Sequence, residues 1–147
     1  MSGESMKKIL LLALSLSLIL CLSACGSKIP YNLEGTASVE LHAYDSSSEE
    51  PFAKIIVDGH EDVAHLVDNF SSLKLKKLEH TEPAILGYEF WFKDVNGNEL
   101  AYISLPYGPW PWVVVGGTAY ADVNGDIDLD FLAQLVDITV TTGPKTE

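Results

Sequence analysis

The dipeptide Asn96-Gly97 constrains the fold more than any other feature of this 147-residue chain. Alternating apolar residues lead up to it and away from it, and Asn-Gly between two such runs favours the two-residue turn whose twist matches a hairpin. Counting outward sets Phe92 opposite Ala101, Trp91 opposite Tyr102, Phe90 opposite Ile103 and Tyr88 opposite Leu105. Tyr88, Phe90, Phe92, Ala101, Ile103 and Leu105 then share one face, expected to be core. The other face carries Glu89, Trp91, Lys93, Leu100, Tyr102 and Ser104, with Trp91 and Tyr102 as a cross-strand pair. The same count places Asp94 opposite Glu99, an unfavourable pair of like charges.

The flanking sequence extends this sheet. Thr36 to Tyr44 alternates Ala37, Val39, Leu41 and Ala43 against Ser38, Glu40, His42 and Tyr44, the period of a half-buried strand, and Phe52 to Val57 is a second candidate. After Asp58-Gly59 the spacing changes. Val63, Leu66, Val67 and Phe70 stand at i, i+3, i+4 and i+7, one face of a helix. Leu73, Leu75 and Leu78 interleave with Lys74, Lys76 and Lys77 at the start of another strand. From Leu100 to Ala121 there is no charged residue, but Pro106, Pro109 and Pro111 forbid a continuous helix through it. This stretch is therefore read as strands and a turn, with Trp112–Val115, Gly116-Gly117 and Thr118–Ala121 forming a second hairpin. Leu129, Leu132, Ala133 and Val136 predict one face of a short helix capped by Asp126 or Asp128, and Asp137 to Thr141 a last edge strand. The expected fold is α+β: one antiparallel sheet of about five to seven strands with two short helices.

The N-terminus reads as an address. Lys7 and Lys8 precede an uncharged run from Ile9 to Leu22, and Leu22-Ser23-Ala24-Cys25 follows. This is the pattern of a signal peptide, and its end resembles the lipobox of bacterial lipoproteins. The resemblance implies that residues 1–24 are removed and that Cys25 carries the lipid, with residues 25–35 as a tether, 36–141 as a single domain and 142–147 as a polar tail. Cys21 is lost with the signal, so the mature domain has no free thiol and no internal disulfide. Thiol catalysis and thiolate metal sites are thereby excluded. The mature chain would hold 7 Lys, no Arg and 20 acids, a net charge near −13. Such a charge argues against nucleic acid as a partner.

Two segments invite a functional reading. Tyr107-Gly108-Pro109-Trp110-Pro111-Trp112 is a stiff aromatic loop of the kind that anchors binding surfaces; with Trp91 and Tyr102 it supplies the candidate binding residues Trp91, Tyr102, Tyr107, Trp110 and Trp112. The competing reading folds Trp110 and Trp112 into the core. Asp122, Asn124, Asp126 and Asp128 have the oxygen-rich spacing of a calcium loop and resemble those of EF-hands and dockerins. Ile127 stands where the sharp-turn glycine belongs and Ala133 where the closing Glu belongs, so these four are weak metal candidates and a helix-capping turn is the simpler reading. His60 and His65 are five apart and point about 140° from each other on a helix, so they cannot share a metal there; His60 is read as near the helix start and His65 as a solvated position. His42 and His80 are read as surface histidines on separate strands.

No nucleophile elbow, phosphate loop or dinucleotide fingerprint occurs in the sequence, which leaves a hydrolase working with two carboxylates alone as the open catalytic alternative, and no cofactor is expected. As a whole the chain resembles the small Gram-positive lipoproteins of unknown function, a resemblance carried by the Cys25 lipobox and the layout. The expectation is a non-catalytic binding or interaction module, lipid-anchored to the bacterial membrane and facing outside the cytoplasm, with an unidentified protein or cell-surface ligand as partner. A calcium-dependent adhesion or assembly module is the alternative, and a surface inhibitor or immunity protein a further one.

Overall fold

The computed structural model describes residues 28–81, 84–107 and 112–141. The elements run β1 (Ser38–Ala43), β2 (Ala53–Val57), α1 (His60–Ser71), β3 (Leu75–Lys77), β4 (Ile85–Lys93), β5 (Glu99–Tyr107), β6 (Trp112–Val115), β7 (Thr118–Asp122) and α2 (Leu129–Thr141). The seven strands form one antiparallel sheet in the order β2-β1-β4-β5-β6-β7-β3, an α+β fold as expected. Since β2 and β3 occupy opposite edges, α1 must cross the sheet between them, and α2 leaves β7 and comes back against β2. Val63, Leu66 and Phe70 from α1 and Leu132 and Val136 from α2 join Val39, Leu41, Phe90, Phe92 and Ile103 in one core. Both helices therefore cover the same face of the sheet. No helix among the described residues is long and apolar enough to cross a membrane.

The central hairpin keeps the expected pairs Phe92 to Ala101, Trp91 to Tyr102, Phe90 to Ile103 and Tyr88 to Leu105, but reaches them by a different turn. Gly97 N–H donates to Asp94 O (3.0 Å) and Asp94 N–H to Asn98 O (2.9 Å), which leaves a three-residue loop, Val95 to Gly97. Only Gly97 has positive φ (80°), whereas a two-residue type I′ turn needs it at Asn96 as well. The Asp94 carboxylate selects this loop by accepting from Asn96 N–H (2.8 Å) and Asn98 N–H (2.9 Å). Lys93 then pairs with Glu99, and Leu100 is left over as a bulge that restores the register at Phe92. The expected clash of Asp94 with Glu99 does not form; Glu99 has a cation opposite it.

At Gly97 an added Cβ would meet nothing within 4 Å, so only the backbone conformation resists substitution. Gly97→Ala is expected to lower stability by about 1–2 kcal/mol, measured by urea unfolding, with the denaturant slope unchanged. The second hairpin has the two-residue form that the first lacks. Val115 pairs with Thr118, and Gly116 and Gly117 both have positive φ (56° and 78°).

Three expectations are corrected. Residues 28–35 do not hang free as a tether: Leu33 is buried in the core, and the Tyr31 hydroxyl donates to Phe70 O (2.7 Å). Burial, with the Asp122 charge second, pushes the Tyr31 phenol far above its usual range. Residues 137–141 continue α2 instead of forming an edge strand, because the i, i+4 pair Leu132 and Val136 keeps the helix seated on the core and overrides β-branched propensity. The apolar face of α2 is also rotated from the expected one. Leu129 and Ala133 are exposed, and Phe131 and Leu135 pack beside Leu132 and Val136 instead. Asp128 sets the start of this helix, its Oδ1 accepting Phe131 N–H at 3.0 Å as an N-cap.

Candidate functional site

With both helices on one face, the other face of the sheet keeps its own side chains as its surface. Strand alternation places Glu40 and His42 of β1, Glu89, Trp91 and Lys93 of β4, and Tyr102 and Ser104 of β5 there. A single cross-strand row runs Lys54, His42, Glu89, Ser104, Val114, Ala119 from β2 to β7. Leu78 extends the row by donating its N–H to Ala119 O (2.9 Å). Within this row His42 and Glu89 belong to a polar network, and Ser104, Val114 and Ala119 line a groove.

Glu89 is the hub of the network. Its side chain is only 14% exposed, and its carboxylate accepts from the hydroxyls of both Tyr44 and Tyr102. His42 lies between two carboxylates, with Nε2 3.0 Å from Glu40 Oε1 and Nδ1 3.9 Å from Glu89 Oε2. The Lys93 ammonium donates to Glu40 Oε2 at 2.6 Å. The hydrogen bond from Lys93, followed by that from His42, holds the Glu40 carboxyl below its usual range. Burial first and the Glu89 hydrogen bond second push Tyr44 and Tyr102 up to about 12. A hydrogen bond from Ser104 pulls Tyr102 part of the way back.

Trp91 lies across this network, its ring centroid 4.5 Å from His42 and 5.1 Å from Tyr102. The Trp91 to Tyr102 pair expected from the hairpin count is thus in place, and it covers polar groups. The reading of His42 as a surface histidine is corrected: its side chain is 14% exposed. Position parity on β1 put Glu40, His42 and Tyr44 on one face, but only the β1 to β4 pairing sets that face against Glu89. That pairing joins segments about 45 residues apart, and no local pattern announces it.

Beyond Ser104 the surface dips into a groove of about 510 Å³. Its floor is Ser104, Val114 and Ala119, and its walls include Leu86, Pro106 and Trp112. Leu86 reaches this face because Gly87 is an extra residue between the pairs Leu86 to Pro106 and Tyr88 to Leu105. Trp112, one of the candidate binding residues, is half-buried here and does not enter the helix-side core. Trp110 lies outside the described residues, and Tyr107 closes β5 with its backbone opposite Ile85. Among the five aromatic candidates, Trp91, Tyr102 and Trp112 therefore share one surface.

The oxygens of Asp122, Asn124, Asp126 and Asp128 do not converge on a point. Asp122 is 4% exposed and its Oδ2 accepts Ile127 N–H at 3.1 Å. Asn124 and Asp126 face solvent, while Asp128 caps α2 and binds His65 Nε2 at 2.9 Å. Ile127, at the glycine position of a calcium loop, is buried in the core and draws the chain inward. Backbone capping and the His65 contact hold Asp128 below the usual carboxylate range. His65, expected to be merely solvated, is thus tied to the start of α2 and lies 4.1 Å from the Phe131 ring; His80 is exposed on a loop and not on a strand. Among the described residues no three His, Cys, Asp or Glu side chains are grouped so as to hold a metal ion. Compared with protein-family models, with curated proteins and with solved structures, the chain matches none.

Proposed function

We infer that the chain is a lipid-anchored binding module acting outside the cytoplasm, and that it meets its ligand on the sheet face opposite the helices. One observation carries the binding half of this reading. Trp91, Tyr102 and Trp112 share that face with a groove bordered by a half-buried polar network, an arrangement of large rings and few polar groups typical of ligand sites. The lipobox at Cys25 supports the location, and a domain held at the membrane by lipid can present such a face to cell-surface material.

Each half has its own test. Metabolic labelling of the full chain with a fatty-acid analogue should tag the wild type, whereas Cys25→Ser should remain untagged and leave the membrane fraction. A tagged Cys25→Ser variant would refute the anchor. For the binding half, candidate cell-surface ligands are titrated while backbone amide resonances are followed, and the shifts should cluster at Trp91, Tyr102, Ser104 and Trp112. Shifts confined to the helix side would refute the assigned face.

A further inference from the structure

We propose that the chain pairs with a second copy of itself along the free edge of β2, in an antiparallel register centred on Ile56. The inference goes beyond the assigned binding reading. β2 closes the sheet at the end away from the groove, and neither the groove nor the lipid anchor enters the argument.

Among the described residues β2 is an edge strand, and its inner hydrogen bonds decide what its outer side presents. Tyr44 N–H donates to Gly87 O of β4 (2.9 Å), while Ala43 O accepts from Phe52 N–H on the β2 side (2.9 Å). Backbone direction alternates along β1, so Val39, Leu41 and Ala43 turn their polar groups to β2 and engage their register partners Val57, Ile55 and Ala53. Lys54 and Ile56 therefore aim their N–H and C=O groups outward, where a further strand can add.

The side chains along this edge select the partner and the register. Ile56 is 61% exposed, on the sheet face away from the helices, with the exposed Lys54 and Asp58 two residues to either side. Two identical antiparallel strands meet about a two-fold axis, so a residue on the axis faces its own copy and residues equally far to either side face each other. With Ile56 on the axis the two Ile56 side chains cover each other. Each Lys54 then meets Asp58 of the other copy, which places one ion pair on either side of the apolar contact. Ile55 and Val57, both packed on the core, meet across the junction on the helix side. Neighbouring registers lose this match: an axis at Ile55 sets Lys54 against Ile56, and an axis at Lys54 brings two ammonium groups together. The far edge of the sheet, β3, is three residues long and exposes Lys76 and Lys77, so it offers Lys54 no counter-charge. A ladder this short belongs with the weak contacts that bury less than about 1,200 Å², and the net charge of −12 on each copy opposes it further. Pairing is therefore expected at high local concentration.

The test follows the full chain in mild detergent by sedimentation and by amide hydrogen exchange, over a roughly hundredfold range of concentration. Dimer should form as the concentration rises, and the Lys54 and Ile56 amides should become protected in step with it. Lys54→Glu alone and Asp58→Lys alone should each weaken the dimer at least about tenfold, because either change turns both ion pairs into like-charge pairs. Mixed together, the two variants should pair with each other about as tightly as the wild type with itself, since each end of the mixed ladder again joins opposite charges. That recovery would also show that both variants are folded. Ile56→Lys, at an exposed position, should weaken pairing by a similar factor. A chain that stays monomeric throughout, assemblies larger than a dimer, or a mixture that pairs no better than either variant alone would overturn the proposal. Protection of Lys54 and Ile56 at every concentration would assign the edge to another segment of the same chain and overturn it as well.

Discussion

Phe90→Ala is expected to lower the unfolding free energy by about 3–5 kcal/mol, the range for removing a fully buried phenylalanine. Phe90 has no exposed surface and lies at the centre of the sheet. Its ring is 4.9 Å from Phe70 of α1 and 6.2 Å from Phe92, so the cavity would open where helix and sheet meet. Domains of this size have about 5–15 kcal/mol in total, and the variant should therefore unfold at much lower urea. Val95→Ala is the control, because Val95 is 83% exposed at the hairpin tip and such changes stay within about 0.5 kcal/mol. Phe70→Ala combined with Phe90→Ala should cost less than the two separately, since both variants empty the same contact. A loss below about 1 kcal/mol for Phe90→Ala would show that this ring does not anchor the helices.

Glu89→Gln tests the other face. The substitution keeps the size of the side chain and removes the charge on which two tyrosine hydroxyls and His42 converge. Hydrogen bonds to a charged group contribute about 1.5–3 kcal/mol, and a loss of that order is expected near pH 7. The pH dependence identifies the cause. Tyr44 and Tyr102 are raised to about 12 in the folded protein, against an ordinary value of 10. The folded state thus holds these protons more tightly than the unfolded chain. The associated stability is fully present below pH 10 and is lost as the pH rises from 10 to about 12. In Glu89→Gln both phenols should ionise closer to 10, read from tyrosinate absorbance, and the alkaline loss of stability should shrink. Unchanged phenol ionisation would mean that burial alone raises them and that Glu89 is not the hub.

The polar network and the groove floor share one cross-strand row. Glu89 sits 15 residues before Ser104 in sequence but directly opposite it in the ladder. A substitution at Glu89 should therefore be felt at the groove floor although Glu89 does not line it.

Local pattern was sufficient for most elements because strand alternation and helical spacing are properties of neighbouring residues. The β4 to β5 core pairs, the Gly116-Gly117 turn and the α1 face all follow from it. The turn at Asn96-Gly97 shows its limit. The right register was reached through a three-residue loop plus the Leu100 bulge, because the carboxylate of Asp94 outweighed the dipeptide's own preference. The face of α2 was misplaced because Leu129 and Ala133 fit the helical period as well as Phe131 and Leu135 do, and only the sheet beneath decides which are covered.

The tetrapeptide Asp-Val-Asn-Gly, which occurs at 94 and at 122, separates the two kinds of information. Both copies form the same turn, with Gly97 N–H donating to Asp94 O (3.0 Å) and Gly125 N–H to Asp122 O (3.2 Å). Both glycines have positive φ, 80° and 67°, and both valines are exposed, 83% and 60%. Conformation at this scale is set by the backbone freedom of glycine and by a carboxylate within reach of nearby N–H groups, so four residues determine it. The fates of the two aspartates differ. Asp94 stays at a solvent-exposed hairpin tip, whereas Asp122 is 4% exposed under the turn that leads into α2. Burial depends on what the rest of the chain brings over a residue. For the same reason the sheet face that carries Glu89, Ser104 and Trp112 became a candidate site only once both helices were placed on the other side.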